Sequence, residues 1–480
     1  LTHGPAQDEP IALPLALGLV GLVGAVLTDG LAQWVAVAAG LTAAPSLLRR
    51  VATYPAWQRR KDRIPLALVL VFCVWLLGDL LLGRPPASRD HGIHLYQVHL
   101  LLEDMLPRGR LMGWTDQFNN GLPFGEAYPW FPHLWAALPH LLSGGLIPVR
   151  VGYAWALAAM WLLGVLGVWL MAREVAREVT EASEEPDDRR ASLVAWAGAL
   201  GALTWLLDPG GSRQGGWNYL MFHGVWPQML SATLWVLALP LCWRAFKKAS
   251  PRRLAIATLV LGGSVLAHPF GLLTMVCSAA VWIAVLALVP SASRLPGSRW
   301  VAFLAIHLGA AMIGYGWLSS FLAGAEVLGR SPVPWDSIGT MASELLRGEL
   351  FGGHAAWSGP LALIGLVAAI RRGGSIAWLV VGLVLGMLVL GSQAAITVLR
   401  LDLIVAGFKN LQFPRYSIAI KPLYFALSGV GASVVAHAVR RMLAARAGRT
   451  VVERFVIGLV LAPFVLSIAT EPDRLVTRPV

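Results

Sequence analysis

Asp90, His91, His94 and Gln97 form the run Asp-His-x-x-His-x-x-Gln, and these residue types could move a proton or hold a cation. On a helix, Asp90, His94 and Gln97 share one stripe at steps of four and three, with His91 at its border. A carboxylate beside two imidazoles suits a general base. It also suits a divalent metal held through His91 and His94. An Asp at a helix start equally fits a simple cap. More polar and aromatic residues follow: Trp114, Asp116, Glu126, Tyr128 and His133.

The elements that must position these residues are written in the composition. The chain has 480 residues, 57% of them hydrophobic and 13% charged. A soluble domain carries about 25% charged residues. The mean hydropathy is +0.65, and the apolar residues come in long runs. A soluble enzyme, a disordered chain and a disulfide scaffold are all excluded. The three cysteines lie inside apolar runs and have no metal-ligand spacing. The expected fold is an all-α integral membrane protein with about thirteen transmembrane helices. They are expected near residues 11–27, 31–48, 64–82, 149–171, 191–207, 225–243, 254–267, 270–289, 300–322, 356–370, 376–390, 416–437 and 455–469.

Charge orients these spans. Segments 49–63, 172–190, 244–253, 291–299, 371–374 and 438–454 hold 24 of the 38 Lys and Arg. They are every second loop, so that side is cytoplasmic, the amino terminus with it, and the carboxyl terminus is exterior. The net charge of +12 is thus a topology signal with an attraction to membrane lipid, and nucleic acid is not an expected partner. Three regions follow: two spans and a basic loop (1–63), a transmembrane core (64–437) and a last span with its tail (438–480). No cytoplasmic loop is long enough for a nucleotide-binding domain. The chain has no P-loop, and Gly18, Gly21 and Gly24 fall inside an apolar run.

The polar chemistry gathers in the exterior loops, above all in 83–148. Helical periodicity begins at Asp90, so an amphipathic helix should lie along the membrane surface until Pro107–Gly109. Segment 130–142 is apolar but broken by Pro132 and Pro139, and reads as interfacial or re-entrant, with His133 and His140 as polar anchors.

In this order the motifs resemble those of a known family. Asp90-His91-x-x-His94, Gly113-Trp114-x-Asp116, Asn120-Gly121-x-Pro123 and Tyr128-Pro129 resemble the first exterior loop of GT-C-fold glycosyltransferases. Gly216–Gln228, His268-Pro269 and Gln412-Phe413-Pro414-Arg415 are similar to later segments of the same enzymes. The resemblance implies a sugar carried on a polyprenyl phosphate and transferred at the exterior face of a bacterial inner membrane. It implies Asp90 as the catalytic base and a glycan, lipid or protein as acceptor. The family often has a second acid where His91 stands, so no cofactor is certain and a divalent metal stays open.

The chemistry has its own requirements. A base must take the acceptor proton, and cations must hold the leaving phosphate. Lys409, Arg415, Lys421 and His268 stand at exterior ends of spans and are the candidate phosphate ligands. Snorkelling or hairpin roles for them stay open. His91, His94, Gln97, Trp114, Asp116, Glu126 and Tyr128 are candidate substrate contacts. Asp336, Glu344 and Glu349 are candidates for a second acid. A transporter or flippase of lipid-linked sugars, or a non-catalytic envelope-assembly subunit, would be built from similar helices. Acids clustered in exterior loops, with no internal repeat, favour the enzyme.

Overall fold

The computed structural model describes residues 64–117, 121–126, 128–181, 187–210, 214–323, 336–347, 349, 358–372, 374–404, 408 and 413–444. The chain divides into two compact units, 1–68 and 69–480. Of the first unit, only residues 64–68 are described, and they open a helix. The spans expected near 11–27, 31–48 and 455–469 lie outside the described residues, as does Lys409.

The long apolar runs are helical because a helix satisfies its own backbone groups away from water. Helix α1 is Ile64–Leu76, α2 Asp90–Leu100, α3 Phe131–Leu142, α4 Val149–Glu181 and α5 Asp187–Leu206. Helix α6 is Gly216–Met221, α7 Trp226–Lys247, α8 Pro251–Ala267, α9 Pro269–Leu288 and α10 Ser298–Ala323. Helix α11 is Ile338–Arg347, α12 Ser358–Arg372, α13 Ser375–Leu390 and α14 Ser417–Ala444. Among the described residues, α4, α7, α9, α10 and α14 are long and apolar enough to cross a membrane. Helices α1, α8, α12 and α13 are shorter, at 13, 17, 15 and 16 residues.

Helix α10 has a lipid-like exterior. Val301, Leu304, Leu308, Met312 and Tyr315 recur at helical spacing and are all exposed. Water would not tolerate that stripe, whereas acyl chains would. Helix α4 is 33 residues long, about 50 Å at 1.5 Å per residue. That exceeds a hydrocarbon core of about 30 Å. The helix therefore runs ten residues past the expected end at Met171. Its last turns hold the basic end of the bundle together. Glu174 is buried and accepts from Arg177 and Arg244, each at 2.8 Å. Glu178 accepts from the backbone N–H groups of Ile376 at 2.8 Å and Ala377 at 2.9 Å. These are first-turn donors of α13 that its own helix cannot satisfy.

Helix α14 is the central post, packed on α4, α5, α12 and α13. It meets α12 backbone to backbone. A Cβ on Gly431 would stand 1.9 Å from the Leu361 carbonyl oxygen, and one on Gly365 would stand 2.0 Å from that of Leu427. Small residues make such an approach available where lipid offers no hydrophobic push.

The segment between α1 and α4 is more than helix, which departs from the all-α expectation. Strands β1 (Gly113–Thr115) and β2 (Leu122–Phe124) form an antiparallel hairpin with Trp114 opposite Pro123. Leu100, Leu101, Met105 and Phe124 make a small core beneath it. Helix α2 passes through a π-turn at Leu101–Met105 and a 3-10 turn at Leu106–Arg108, then stops at Gly109 with φ +68°. That is the expected end point. Helix α3 has 12 residues, too few to span.

Gly431→Ala should lower stability by about 1–3 kcal/mol, the usual cost of overpacking. Gly316→Ala, in α10 with nothing within 4 Å of the new methyl, should be neutral or stabilise by about 0.5–1 kcal/mol. Thermal unfolding of the two variants in the same detergent checks the difference, and equal midpoints would contradict the close crossing.

Candidate functional site

The site is built where α2 begins. Its first turn is seated on the segment that joins α6 to α7. The Ser88 hydroxyl lies 2.8 Å from both the Met221 and Phe222 carbonyl oxygens. The Asp90 N–H donates to the His223 carbonyl at 3.4 Å. A Cβ on Gly224 would lie 2.6 Å from the His91 nitrogen, and Gly224 has φ +75°, so only glycine admits this contact. The Arg89 guanidinium covers the Phe222 ring at 4.8 Å. Arg89 itself has φ 40°, a strained value for a residue with a side chain.

His91 is the pin of this joint. Its Nε2 lies 2.7 Å from the Leu220 carbonyl and its Nδ1 2.8 Å from the Tyr153 hydroxyl. A carbonyl only accepts, so Nε2 carries the proton and Nδ1 accepts from Tyr153. Both nitrogens are thereby committed. This corrects the expectation of His91 as a substrate contact or metal ligand. Among the described residues, no group of three or more His, Cys, Asp and Glu is arranged to hold a metal ion.

The inward face of α2 also departs from the expected stripe. His91, His94 and Val98 are buried, while Asp90 and Ile93 are exposed. Asp90 therefore stands at the rim, in the first turn of the helix, with Arg89 and not Asp90 as the N-cap. Its charge is within electrostatic range of Tyr128, Tyr153 and His223. Beneath it, His94 Nδ1 lies 3.3 Å from His133 Nε2. His133 is 1% exposed, and its Nδ1 has no hydrogen-bond partner among the described residues. His133 is thus part of the site and not the interfacial anchor expected of it. Burial pushes His91 down to about 4 and His94 down to about 3, and holds His133 well below the usual imidazole range. All three stay neutral near pH 7.

A second wall comes from α7, α9 and the turn before α14. The Tyr128 ring meets His268 edge-on at 5.2 Å and lies 6.0 Å from His94. His268 joins α8 to α9, and its Nδ1 accepts from the Phe270 N–H at 3.2 Å. That makes it the cap of α9 as well as a wall of the site. Arg415, in the 3-10 turn Phe413–Tyr416, is tied by its carbonyl oxygen to Gln228 Nε2 at 3.3 Å. Gln228 in turn accepts from the Tyr219 hydroxyl at 3.0 Å. The Nε of Arg415 is buried with no hydrogen-bond partner among the described residues. Its charge reaches Tyr128 and His268. Burial raises Tyr128, and Arg415 opposes that rise. Burial lowers His268, and Arg415 lowers it further.

Other candidates stand elsewhere. Lys421 is fully buried, and its ammonium is paired with the carboxylate of Asp208. A carboxylate already answers this charge, so the expectation of Lys421 as a phosphate ligand is corrected. Asp208 also holds its own loop: its Oδ1 accepts from the Gly210 N–H at 3.3 Å, and its carbonyl accepts from that of Trp217 at 3.2 Å. Trp114 is 55% exposed and donates to Asp116 at 2.6 Å within the hairpin. Glu126 is joined through its carbonyl oxygen to Trp317 Nε1 at 3.0 Å. Gln97 lies beside His94. Glu349 is paired with Arg347 at 2.8 Å. The structure thus gathers Asp90, His94, Tyr128, His268 and Arg415, and adds His133, Tyr153, Tyr219 and Gln228. Tyr219 and Gln228 fall inside the Gly216–Gln228 segment singled out from the sequence, whereas Tyr153 carried no signal there.

The joint between α2 and the 216–228 segment, with Arg415 before α14 in electrostatic range of Tyr128 and His268, is an arrangement of the whole fold and can be compared. No protein-family model matches the chain, and no curated protein matches it in sequence. Solved structures do match. One is the archaeal oligosaccharyltransferase AglB from Archaeoglobus fulgidus, in complex with an inhibitory peptide and a dolichol-phosphate. It is similar over 85% of this chain at a TM-score of 0.52 and 14% identity. ArnT from Cupriavidus metallidurans, bound to undecaprenyl phosphate, is similar over 85% of the chain at a TM-score of 0.50 and 15% identity. The chain has the GT-C fold. It is a helical membrane protein, as expected. It spans 56% of the length of AglB and 72% of that of ArnT, and at such identities the likeness is one of fold.

Stability should fall in acid. The unfolded histidines bind protons below about pH 6.5 while the native ones do not. The native state therefore loses stability as the pH drops from about 6.5 towards 4, by up to about 1.4 kcal/mol per pH unit for each histidine. Unfolding midpoints in detergent between pH 7.5 and 4.5 check this. His94→Gln should flatten the slope, and an unchanged slope in that variant would contradict the buried neutral pair.

Proposed function

We propose that this protein is a membrane glycosyltransferase of the bacterial cytoplasmic membrane. It moves a sugar from a polyprenyl-phosphate donor to a hydroxyl of a glycan, lipid or protein acceptor at the exterior face. The observation that carries the reading is that a rim carboxylate, Asp90, and a partly buried arginine, Arg415, both lie within electrostatic range of Tyr128 in a GT-C bundle. The alternation of basic loops supports the exterior face.

In this reading Asp90 takes the proton of the acceptor hydroxyl. The oxygen attacks the anomeric carbon from the side opposite the phosphate. The bond from that carbon to the phosphate oxygen breaks, and the lipid phosphate leaves with the electron pair. One displacement inverts the anomeric centre and requires no covalent enzyme intermediate. The departing phosphate gains charge, and the Arg415 guanidinium is suited to hold it. Tyr128 supplies a hydroxyl that burial keeps protonated, so it is available to donate. Neutral His94 and His133 offer polar contacts without a competing charge.

Asp90→Asn should lower turnover by roughly 10²–10⁴-fold, the usual worth of a general base. The assay uses protein in sealed vesicles, a synthetic polyprenyl-phosphate sugar, and an impermeant acceptor outside. Near-normal turnover, or a product that retains the donor configuration, would overturn the mechanism. Sugar-lipid counter-flow without transfer would instead support a transporter. Arg415→Ala should weaken lipid-phosphate binding by about tenfold or more, given roughly 1.5–3 kcal/mol for a hydrogen bond to a charged group. Isothermal titration with polyprenyl phosphate reads it, and unchanged affinity in a folded variant would remove the role.

A further inference from the structure

The turn that follows α6 carries two rings beside Asp90 that the proposed displacement does not use. Phe222 is 45% exposed, and the Arg89 guanidinium lies over its ring at 4.8 Å. The His223 ring meets that of Phe222 edge-on at 5.1 Å. Asp90 is seated against the same turn. Its N–H donates to the His223 carbonyl, and a Cβ on Gly224 would lie 3.1 Å from the Asp90 Cβ. Arg89 and Asp90 are exposed, and His223 is partly buried. A carboxylate, a guanidinium and an imidazole thus frame one open aromatic ring.

Two further observations point to a ligand at this rim. Arg89 has a strained backbone, φ 40° and ψ −117°, where its guanidinium meets the ring, and such strain gathers at ligand clamps. His223 has no hydrogen bond at either ring nitrogen among the described residues. Partial burial lowers it below the usual imidazole range, the Arg89 charge lowers it further, and Asp90 opposes both. Near pH 7 it is neutral, with one nitrogen to donate and one to accept. A hydroxyl group needs that same pair of functions.

A flat apolar surface edged by polar groups suits a pyranose ring, which has a face of C–H groups and a rim of hydroxyls. An acyl chain on Phe222 would cover Arg89 and His223 without answering them. The lipid-like stripe of α10 is built differently, from Val301, Leu304, Leu308 and Met312. A peptide is recognised through its backbone, by a sheet edge or a groove, and the groups here are a ring, a guanidinium and an imidazole.

We propose that Arg89, Phe222 and His223 form the acceptor subsite, and that the acceptor is a carbohydrate. One face of its terminal sugar lies on the Phe222 ring. Arg89 and His223 bind hydroxyls at its edge, and a further hydroxyl is presented to the Asp90 carboxylate. The inference rests on the glycosyltransferase reading for the part of Asp90, and it selects a glycan among the acceptors that reading allows.

The test is saturation-transfer NMR of the full chain in a detergent without sugar head groups. The probes are the methyl pyranosides of glucose, galactose, mannose and N-acetylglucosamine, and a serine-containing tripeptide. At least one pyranoside should bind, with saturation strongest on the protons of one ring face. Phe222→Ala should weaken that binding about ten-fold, from the loss of one ring's apolar contact. Phe222 is exposed, so folding should survive its truncation. Phe222→Tyr keeps the ring and should bind as the wild type does. His223→Gln should weaken binding about five-fold, the usual worth of one hydrogen bond. Binding of no pyranoside, or unchanged binding in both Phe222→Ala and His223→Gln, would overturn the proposal. So would Phe222-dependent binding of the tripeptide alone, which would make the acceptor a protein. Displacement of the pyranoside by sugar-free polyprenyl phosphate would also overturn it, by placing the rim on the donor side. Asp90→Asn should keep pyranoside binding and lose turnover. Kept binding with near-normal turnover in that variant would remove the general base and leave the sugar subsite standing.

Discussion

The joint at His91 governs the half of the bundle that carries Asp90. A neutral imidazole has one donor and one acceptor, and here both face inward, to the Leu220 carbonyl and the Tyr153 hydroxyl. Each partner belongs to a different element: one to the segment before α7, the other to α4. A single side chain thus sets the position of α2 against two others. The Gly224 backbone then presses on α2 so closely that a side chain there is excluded. Asp90 precedes His91 by one residue and so has little freedom of its own. Its carboxylate is held at the rim by a joint in which it takes no part.

The same logic applies on the other wall. Arg415 is held through its backbone by Gln228, and Gln228 by Tyr219. Tyr219 stands on the short helix α6, whose next residue is Leu220, the His91 acceptor. The two halves of the site are therefore fastened to one ten-residue stretch, 219–228. Beneath it, the buried pair of Lys421 and Asp208 ties the loop before α6 to α14. Such a pair is costly to desolvate and costlier to break.

The rest of the bundle is organised differently. There the contacts are between backbones and small residues, because lipid supplies no hydrophobic drive for helices to associate. Helix α14 runs through both halves. It meets α12 through paired glycines and begins at the turn that carries Arg415. The basic end is closed by carboxylates on α4, with Glu178 supplying the acceptor that the first turn of α13 lacks.

Much of this was legible in the sequence. Long apolar runs dictate helices in lipid, since no other open segment satisfies its backbone. The order of the motifs from Asp90 to Arg415 resembles that of the fold the solved structures share. The helix start at Asp90 and its stop at Gly109 followed from local rules, as glycine alone takes φ +68° without strain. What needed tertiary structure was which partner each polar side chain found. Periodicity put Asp90, His94 and Gln97 on one face, yet His91 and His94 turn inward and Asp90 stays at the rim, because the Leu220 carbonyl, 129 residues away, accepts what His91 donates. Lys421 looked like a phosphate ligand until Asp208 arrived from another helix end. His133 looked like an anchor until α2 folded over it. Hydrophobic pattern is a property of one segment and survives in the sequence. Hydrogen-bond pairing between segments is a property of two, and only their meeting decides it.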